Sequence, residues 1–198
     1  MRKMGKKWYR GLFWILIICT VAEAVFSGDG EGNPDTLRWI VNNLATAAYG
    51  VVLLKMISLS AHFRMAGLCK VASAVIGILS VAVSELSIAV VLIVVIMAAV
   101  VDIVGEYQEF SGHADFVCDK DLVLSEKWLR LRLWYIVMLA GLTGGVVCGV
   151  LLVLPGLIIL LACGIGLVVV SIVKIIYVYR TARLCQVRDE EEVNYNYN

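Results

Sequence analysis

The amino-acid sequence predicts an all-α polytopic membrane protein, with six transmembrane helices arranged as three hairpins in a single membrane domain over 1–187. Of its 198 residues, 61% are apolar, and the mean hydropathy is +0.90. Soluble domains contain about 45–50% apolar residues, and a small globule buries only about 70% of the surface of its chain. The composition therefore excludes a soluble enzyme, a disordered chain and a disulfide-stapled secreted module.

The predicted spans follow from long apolar runs. The four clear runs are 11–27, 38–60, 133–154 and 157–179. The apolar stretch 66–104 would be about 58 Å long as one helix, whereas the hydrocarbon core of a bilayer is about 30 Å thick. We therefore divide this stretch at 84–87 into two spans, 66–84 and 86–104.

The positions of lysine and arginine predict the orientation of the spans. When the spans alternate from a cytoplasmic N-terminus, only Arg38 of the 17 basic residues falls at an outer boundary. Positively charged residues concentrate on the cytoplasmic side of membrane proteins. We therefore expect both termini and the loop 105–132 to be cytoplasmic. Short outer turns and the lack of glycosylation sequons favour the plasma (inner) membrane of a bacterium.

The first span has an alternative interpretation as a secretory signal peptide cleaved after Ala24, which would leave five spans. A short internal repeat favours retention of this span, because the pattern K-W-x-R-x-x-x-W occurs at 7–14 and again at 127–134. The hairpins 11–60 and 133–179 would then be parallel copies, a known construction of membrane folds. The alternative is that any inner boundary selects tryptophan and basic residues.

Small residues recur on one face of three predicted spans and predict close helix packing. These residues are Gly141, Gly145 and Gly149 in the fifth span, Ala162 and Gly166 in the sixth, and Ser73, Gly77 and Ser80 in the third. Pro155 and Gly156 would form the tight turn that brings the fifth span onto the sixth. The alternative role for these faces is the seam of a homo-oligomer.

Polar residues near the outer ends of the first two spans form a candidate cluster of Glu23, Arg38, Asn42 and Asn43. An ionisable residue within a span indicates a functional site whose partner should be named. In one interpretation Glu23 pairs with Arg38 and, together with Asn42, forms the bottom of an outward-facing binding cavity. In the alternative interpretation Glu23 and Arg38 form a purely structural ion pair. The predicted midplanes lack charged residues, which disfavours an ion-coupled carrier.

The loop 105–132 contains possible metal-binding side chains, namely His113, Asp115, Cys118, Asp119 and Asp121. Their spacing fits no standard metal site. We expect instead a polar extension of the fourth span that breaks at 111–112. A helix then begins at an Asp119 or Asp121 cap, with Leu122, Trp128, Leu129 and Leu133 on one face. The acidic tail 188–198 is predicted to be disordered.

The sequence contains no catalytic, phosphate-binding or cofactor-binding motif, and we expect no enzyme activity, no cofactor and no nucleic-acid partner. The first hypothesis is a non-enzymatic accessory or scaffold subunit. It would act in the lipid bilayer by helix–helix association with a second copy or another membrane protein. The alternative is a small-solute binding or transport component that uses the polar cluster.

Overall fold

The all-α class is confirmed by the computed structural model, which describes residues 9, 11–18, 34–83 and 88–195. Every element in this part of the chain is an α-helix. The helices are α1 (11–18), α2 (Pro34–Lys55), α3 (His62–Val83), α4 (Ile88–Cys118), α5 (Leu122–Leu151) and α6 (Val153–Tyr195).

Three of the described helices contain stretches that are long and apolar enough to cross a membrane. These stretches are His62–Leu79 in α3, Leu122–Val146 in α5 and Val153–Cys185 in α6. On α6, large apolar side chains such as Leu161, Ile165 and Val168 are at least 60% exposed. Helices with apolar surfaces of this kind are typical of a membrane-embedded protein.

The predicted loop 105–132 is helical except for a short connection at 119–121. α4 continues through 111–112, so the predicted break there is wrong. The Ser111 hydroxyl donates to the Tyr107 carbonyl at 2.9 Å within the helix. Gly112 lies against the Phe63 ring, where a Cβ atom would come within 3.0 Å. The glycine thus permits close packing of α3 on α4 and does not end the helix.

The start of α5 confirms the predicted aspartate cap, because the Asp121 side chain accepts from the Leu124 backbone N–H at 3.0 Å. The predicted apolar face is wrong. Trp128 is fully buried, whereas Leu122, Leu129 and Leu133 are 66%, 41% and 61% exposed. Trp128 points the other way because its large ring fills the protein core, where its indole N–H lies 3.4 Å from the Thr181 hydroxyl.

The connection from α5 to α6 is shorter than predicted. α5 ends at Leu151, Leu152 is extended, and α6 begins at Val153. Pro155 therefore lies in the first turn of α6, where its missing N–H costs no helical hydrogen bond. At its other end α6 continues to Tyr195, so 188–195 are helical where disorder was expected. The glutamates in this segment are good helix formers.

The main helix pairs are α5 with α6, α3 with α4, α2 with α3 and α4 with α5. The protein core lies at one end of this assembly, where the later turns of α2, α4 and α6 meet the first turns of α5. Its most deeply buried side chains include Tyr9, Leu53, Phe63, Phe110, Trp128 and Val178. The functional site described next begins at this core.

Three sequence predictions concern residues outside the described part of the chain. The possible cleavage site after Ala24 and the turn at 84–87 both lie there. So do Lys7, Trp8 and Arg10, three of the four residues that define the first copy of the tryptophan-containing pattern at 7–14. Retention of the first span and duplication of the hairpins therefore stay predictions.

Candidate functional site

One face of α4 carries a row of ionisable side chains. Asp102, Glu106, Glu109 and His113 are spaced at i, i+4, i+7 and i+11, which places them on the same side of a helix. Glu109 and His113 are fully buried. A row of buried charges requires opposite charges from neighbouring helices.

Two buried lysines supply these opposite charges. Lys70 Nζ on α3 lies 2.8 Å from Asp102 Oδ1 and 2.6 Å from Glu106 Oε1. Lys174 Nζ on α6 lies 2.8 Å from Glu106 Oε2 and 2.9 Å from Glu109 Oε1. Glu106 therefore binds both lysines and links α3, α4 and α6. We call Lys70, Asp102, Glu106, Glu109 and Lys174 the α4 network.

Polar contacts, two of which are hydrogen bonds, extend the α4 network toward the protein core. The Tyr49 hydroxyl on α2 donates to Glu109 Oε1. His113 Nε2 lies 3.5 Å from the same oxygen, and His113 Nδ1 lies 3.0 Å from the Tyr9 hydroxyl. Within the described part of the chain, Glu109 Oε2 and His113 Nε2 are buried without a hydrogen-bond partner.

Aromatic rings enclose His113. The Trp128 ring stacks on the imidazole with the centroids 4.4 Å apart, and the Phe63 ring meets it edge-on at 5.1 Å. The Tyr9 ring lies 5.5 Å away. This enclosure keeps water from the imidazole and disfavours its charged form.

Burial and charge together set the ionisation of the site. Burial alone would raise the pKa of Glu109, but Lys174 and His113 outweigh it, and the pKa falls below 4.5. For Glu106, Lys174 and Lys70 likewise outweigh burial and lower the pKa. Burial lowers the pKa of His113 from 6.5 despite the opposing effect of Glu109. At neutral pH both glutamates are anionic and His113 is neutral.

A cavity of about 360 Å³ opens beside the α4 network. All six described helices contribute to its lining. Four residues of the α4 network line the cavity, namely Lys70, Asp102, Glu106 and Lys174. Further polar groups in the lining come from Asn42, Thr46, Tyr49 and Ser171. The Asp102 side chain is 41% exposed, compared with 15% for Glu106. The cavity thus offers charged and hydrogen-bonding groups to a small polar molecule.

The two described side chains of the predicted polar cluster, Asn42 and Asn43, lie in different environments and do not form one cluster. Glu23 and the side chain of Arg38 lie outside the described part of the chain, so their pairing stays a prediction. Asn42 lines the cavity. Asn43 instead packs on α3, where a Cβ atom at Gly77 would lie 2.1 Å from Asn43 Oδ1.

Four of the five small residues predicted for packing in the fifth and sixth spans lie between α5 and α6. A Cβ atom at Gly141 would lie 2.4 Å from Cys163 Sγ, and one at Gly166 would lie 2.4 Å from Met138 Sδ. Gly145 packs against Leu160. Gly149 lies against Gly156, whereas Ala162 is exposed. In the third span Ser73 is half-buried, and the side chain of Ser80 lies outside the described part of the chain.

Three of the five residues considered for metal binding make other contacts. His113 belongs to the buried site, and Asp121 caps α5. Asp115 Oδ2 lies 3.3 Å from His62 Nε2. In the described part of the chain, no group of three or more histidine, cysteine, aspartate or glutamate side chains is placed to hold a metal ion.

Sequence reasoning missed the α4 network. The distribution of basic residues places Lys70 and Lys174 near cytoplasmic ends of spans, and Glu106 and Glu109 fall in the predicted polar extension of the fourth span. The spacing of Asp102, Glu106, Glu109 and His113 was the available signal, because it marks one helical face. The comparisons with known proteins do not identify the site, since no family model, curated protein or solved structure matches the chain.

Proposed function

We propose that the protein is an integral membrane component that binds a small polar solute in the cavity, for capture or transport. The observation that carries this proposal is the position of the α4 network, which forms one wall of a cavity lined by six helices. Two of the candidate membrane spans each carry a buried lysine of the network. Ionisable residues within membrane spans mark solute or ion pathways by default.

A purely structural role accounts less well for this arrangement. Buried ion pairs roughly break even against apolar residues of similar volume, so they are weak sources of stability. The α4 network also borders an open space instead of being packed on all sides, and the Asp102 side chain remains 41% exposed. Solute binding explains why charged groups are retained beside a cavity.

The proposed topology has six spans, with both termini and the α4–α5 connection on the cytoplasmic side of a bacterial plasma membrane. The distribution of basic residues supports it. In this orientation the α4 network lies in the cytoplasmic half, and Asn42 is the member of the expected outward-facing cluster that lines the same cavity. An Asp119→Cys variant, in a background with all six native cysteines replaced by serine, tests the side. An impermeant maleimide should label it in permeabilised cells but not in intact ones, and labelling of intact cells would refute the orientation.

Thermal unfolding of the full chain in mild detergent tests solute binding. We expect at least one class among cationic, anionic, zwitterionic and uncharged small solutes to raise Tm, because ligands stabilise the state that binds them. Ser171→Leu, in the cavity lining, should reduce this shift. Thr143→Leu is the matched control, since both hydroxyls are exposed and donate to the carbonyl four residues earlier. The proposal fails if no solute class raises Tm.

A second proposal retains the accessory or scaffold role through helix–helix association. It is supported by Gly144 on α5, an exposed position where a Cβ atom would meet nothing within 4 Å. Open glycine surfaces allow a second helix to approach closely. Native mass spectrometry in mild detergent should then show a homo-oligomer or a bound protein that Gly144→Leu removes. A monomer without a partner protein would contradict this role.

A further inference from the structure

The charges of the α4 network do not balance. Asp102, Glu106 and Glu109 contribute three carboxylates, whereas Lys70 and Lys174 contribute two ammonium groups. Each lysine contacts two carboxylates, and Glu106 contacts both lysines. Among the residues that the structure describes, one negative charge of the network is therefore left uncompensated in a largely buried site, which is energetically unfavourable without a further cation.

The other cationic side chains that the structure describes against α4 are engaged elsewhere. Arg132 on α5 donates to Ser111 Oγ at 2.9 Å, and its guanidinium lies 4.7 Å from the centroid of the Tyr107 ring. Lys120 lies 3.1 Å from the centroid of the Phe116 ring. Neither of these two described side chains therefore compensates the excess negative charge of the α4 network.

The two histidines near α4 do not supply the missing charge either. His62 on α3 pairs with Asp115 and Gln108, outside the cavity lining. His113 is enclosed by the Tyr9, Phe63 and Trp128 rings. Its burial lowers its pKa, although Glu109 opposes this effect, so it is neutral at neutral pH. The Tyr49 hydroxyl donates to Glu109 Oε1, and the Tyr9 hydroxyl contacts His113 Nδ1, so neither tyrosine adds a positive charge.

Asp102 is the carboxylate of the network that a cavity occupant can reach. Its side chain is the most exposed of the three, and Lys70 contacts only Oδ1. Tyr49, Phe110 and Tyr135 add aromatic rings to the cavity lining. Two of these rings already face an ammonium group, because Lys174 Nζ lies 5.5 Å from the Tyr49 centroid and 5.4 Å from the Phe110 centroid. Carboxylates with aromatic rings form a recognised environment for cations.

We infer that the cavity binds a small organic monocation, whose ammonium group pairs with Asp102 and balances the α4 network. This inference rests on the proposed solute-binding function and specifies the class of solute. The cavity volume of about 360 Å³ is far larger than the space for a bare ion, since a water molecule occupies only about 30 Å³ in the liquid. An organic group can occupy the remainder of the cavity, against its apolar and aromatic lining.

The test compares solutes of matched size on the full chain in detergent at neutral pH. Propylammonium and choline should raise Tm, whereas propanol, propionate and sodium chloride at equal concentration should not. In Asp102→Asn the affinity for propylammonium should fall by about tenfold or more, the value expected for loss of one charge-assisted contact. Asp115→Asn is the matched control, because Asp115 is an exposed α4 carboxylate outside the cavity lining.

The unliganded Asp102→Asn protein provides a second readout. Because this change removes the excess negative charge, its Tm without solute should equal or exceed that of the native chain. A clear decrease would show that Asp102 belongs to a balanced network and would overturn the inference.

The remaining outcomes separate this inference from the proposed function. If only anionic or uncharged solutes raise Tm, the cavity binds solutes but the monocation assignment is overturned. If sodium raises Tm as much as propylammonium, the organic class is overturned. If no solute raises Tm, both proposals fail.

Discussion

Lys174 Nζ lies 2.8 Å from Glu106 Oε2, although 68 positions separate the two residues in the chain. The same ammonium group also lies 2.9 Å from Glu109 Oε1, so one α6 side chain holds two α4 carboxylates. Because all three groups are largely buried, the contact joins α4 to α6 through charges that water does not screen.

Replacing Lys174 should destabilise the protein strongly. In Lys174→Met, Glu109 loses its lysine partner and Glu106 keeps only Lys70. Breaking a buried ion pair on one side costs about 3–5 kcal/mol in free energy of unfolding. Denaturant unfolding in detergent measures this loss. Lys55→Met is the control, since Lys55 is exposed and should change the free energy by less than about 0.5 kcal/mol. Equal losses in both variants would contradict a special role for Lys174.

A compensating change should recover part of this loss. In Lys174→Met/Glu109→Gln, the buried site no longer contains an anion without a lysine, and the glutamine keeps an acceptor for the Tyr49 hydroxyl. We expect the double variant to be more stable than Lys174→Met, and we expect a coupling energy of about 1–3 kcal/mol between the two changes. A double-mutant cycle in the same detergent measures this coupling, and additive losses would rule it out.

Close contact of α5 with α6 makes Gly156 a sensitive position. A Cβ atom there would lie 2.3 Å from backbone atoms of Gly149, which cannot move aside as a side chain would. Gly156→Ala should therefore lower the free energy of unfolding by about 1–3 kcal/mol through overpacking. Gly164→Ala should instead be neutral or stabilising, because nothing lies within 4 Å and alanine favours helix. Similar unfolding midpoints for the two variants would refute the packing argument.

The fold class and some local features could be predicted from the sequence. Composition alone indicates apolar helices. The Asp121 cap is predictable because it depends only on a short polar side chain and backbone N–H groups within one turn. The position of Trp128 was not predictable, since the choice between lipid and core depends on neighbours from distant parts of the chain.

The candidate site required the three-dimensional structure. Glu106 and Glu109 have a polar sequence context that resembles a surface loop, and their burial depends on Lys70 and Lys174 from other helices. One sequence cannot show which lysine meets which carboxylate. It does contain the helical spacing of Asp102, Glu106, Glu109 and His113, which places all four on one face once the extension of the fourth span continues through 111–112 without a break.

The cap of α5 offers a local test of helix stability. Asp121→Ala removes the acceptor for the Leu124 N–H and should lower the free energy of unfolding by about 1 kcal/mol. Asp119→Ala, an exposed position in the same connection, should have a much smaller effect. Unfolding curves of both variants check this, and an equal loss in Asp119→Ala would exclude the cap as the cause.

His113 should make the stability of the protein depend on pH. Because burial lowers its pKa from 6.5 in the folded state, the unfolded chain binds more protons as the pH falls below 6.5. The free energy of unfolding should therefore decrease with falling pH, by at most about 1.4 kcal/mol per pH unit. The lowered pKa values of Glu106 and Glu109 have the same sign but act only below about 4.5. Unfolding measured from pH 7 to about 5 thus isolates histidine titration from these glutamates.

The variant His113→Gln assigns this effect to one residue. Glutamine stays neutral throughout this pH range, so the decrease in stability between pH 7 and about 5 should be reduced in the variant. His62→Gln is the control, since His62 is partly exposed and lies outside the enclosed site, and it should retain the native pH dependence. If the native chain showed no change in this range, or if His113→Gln retained the full decrease, His113 would not be the group whose protonation opposes folding.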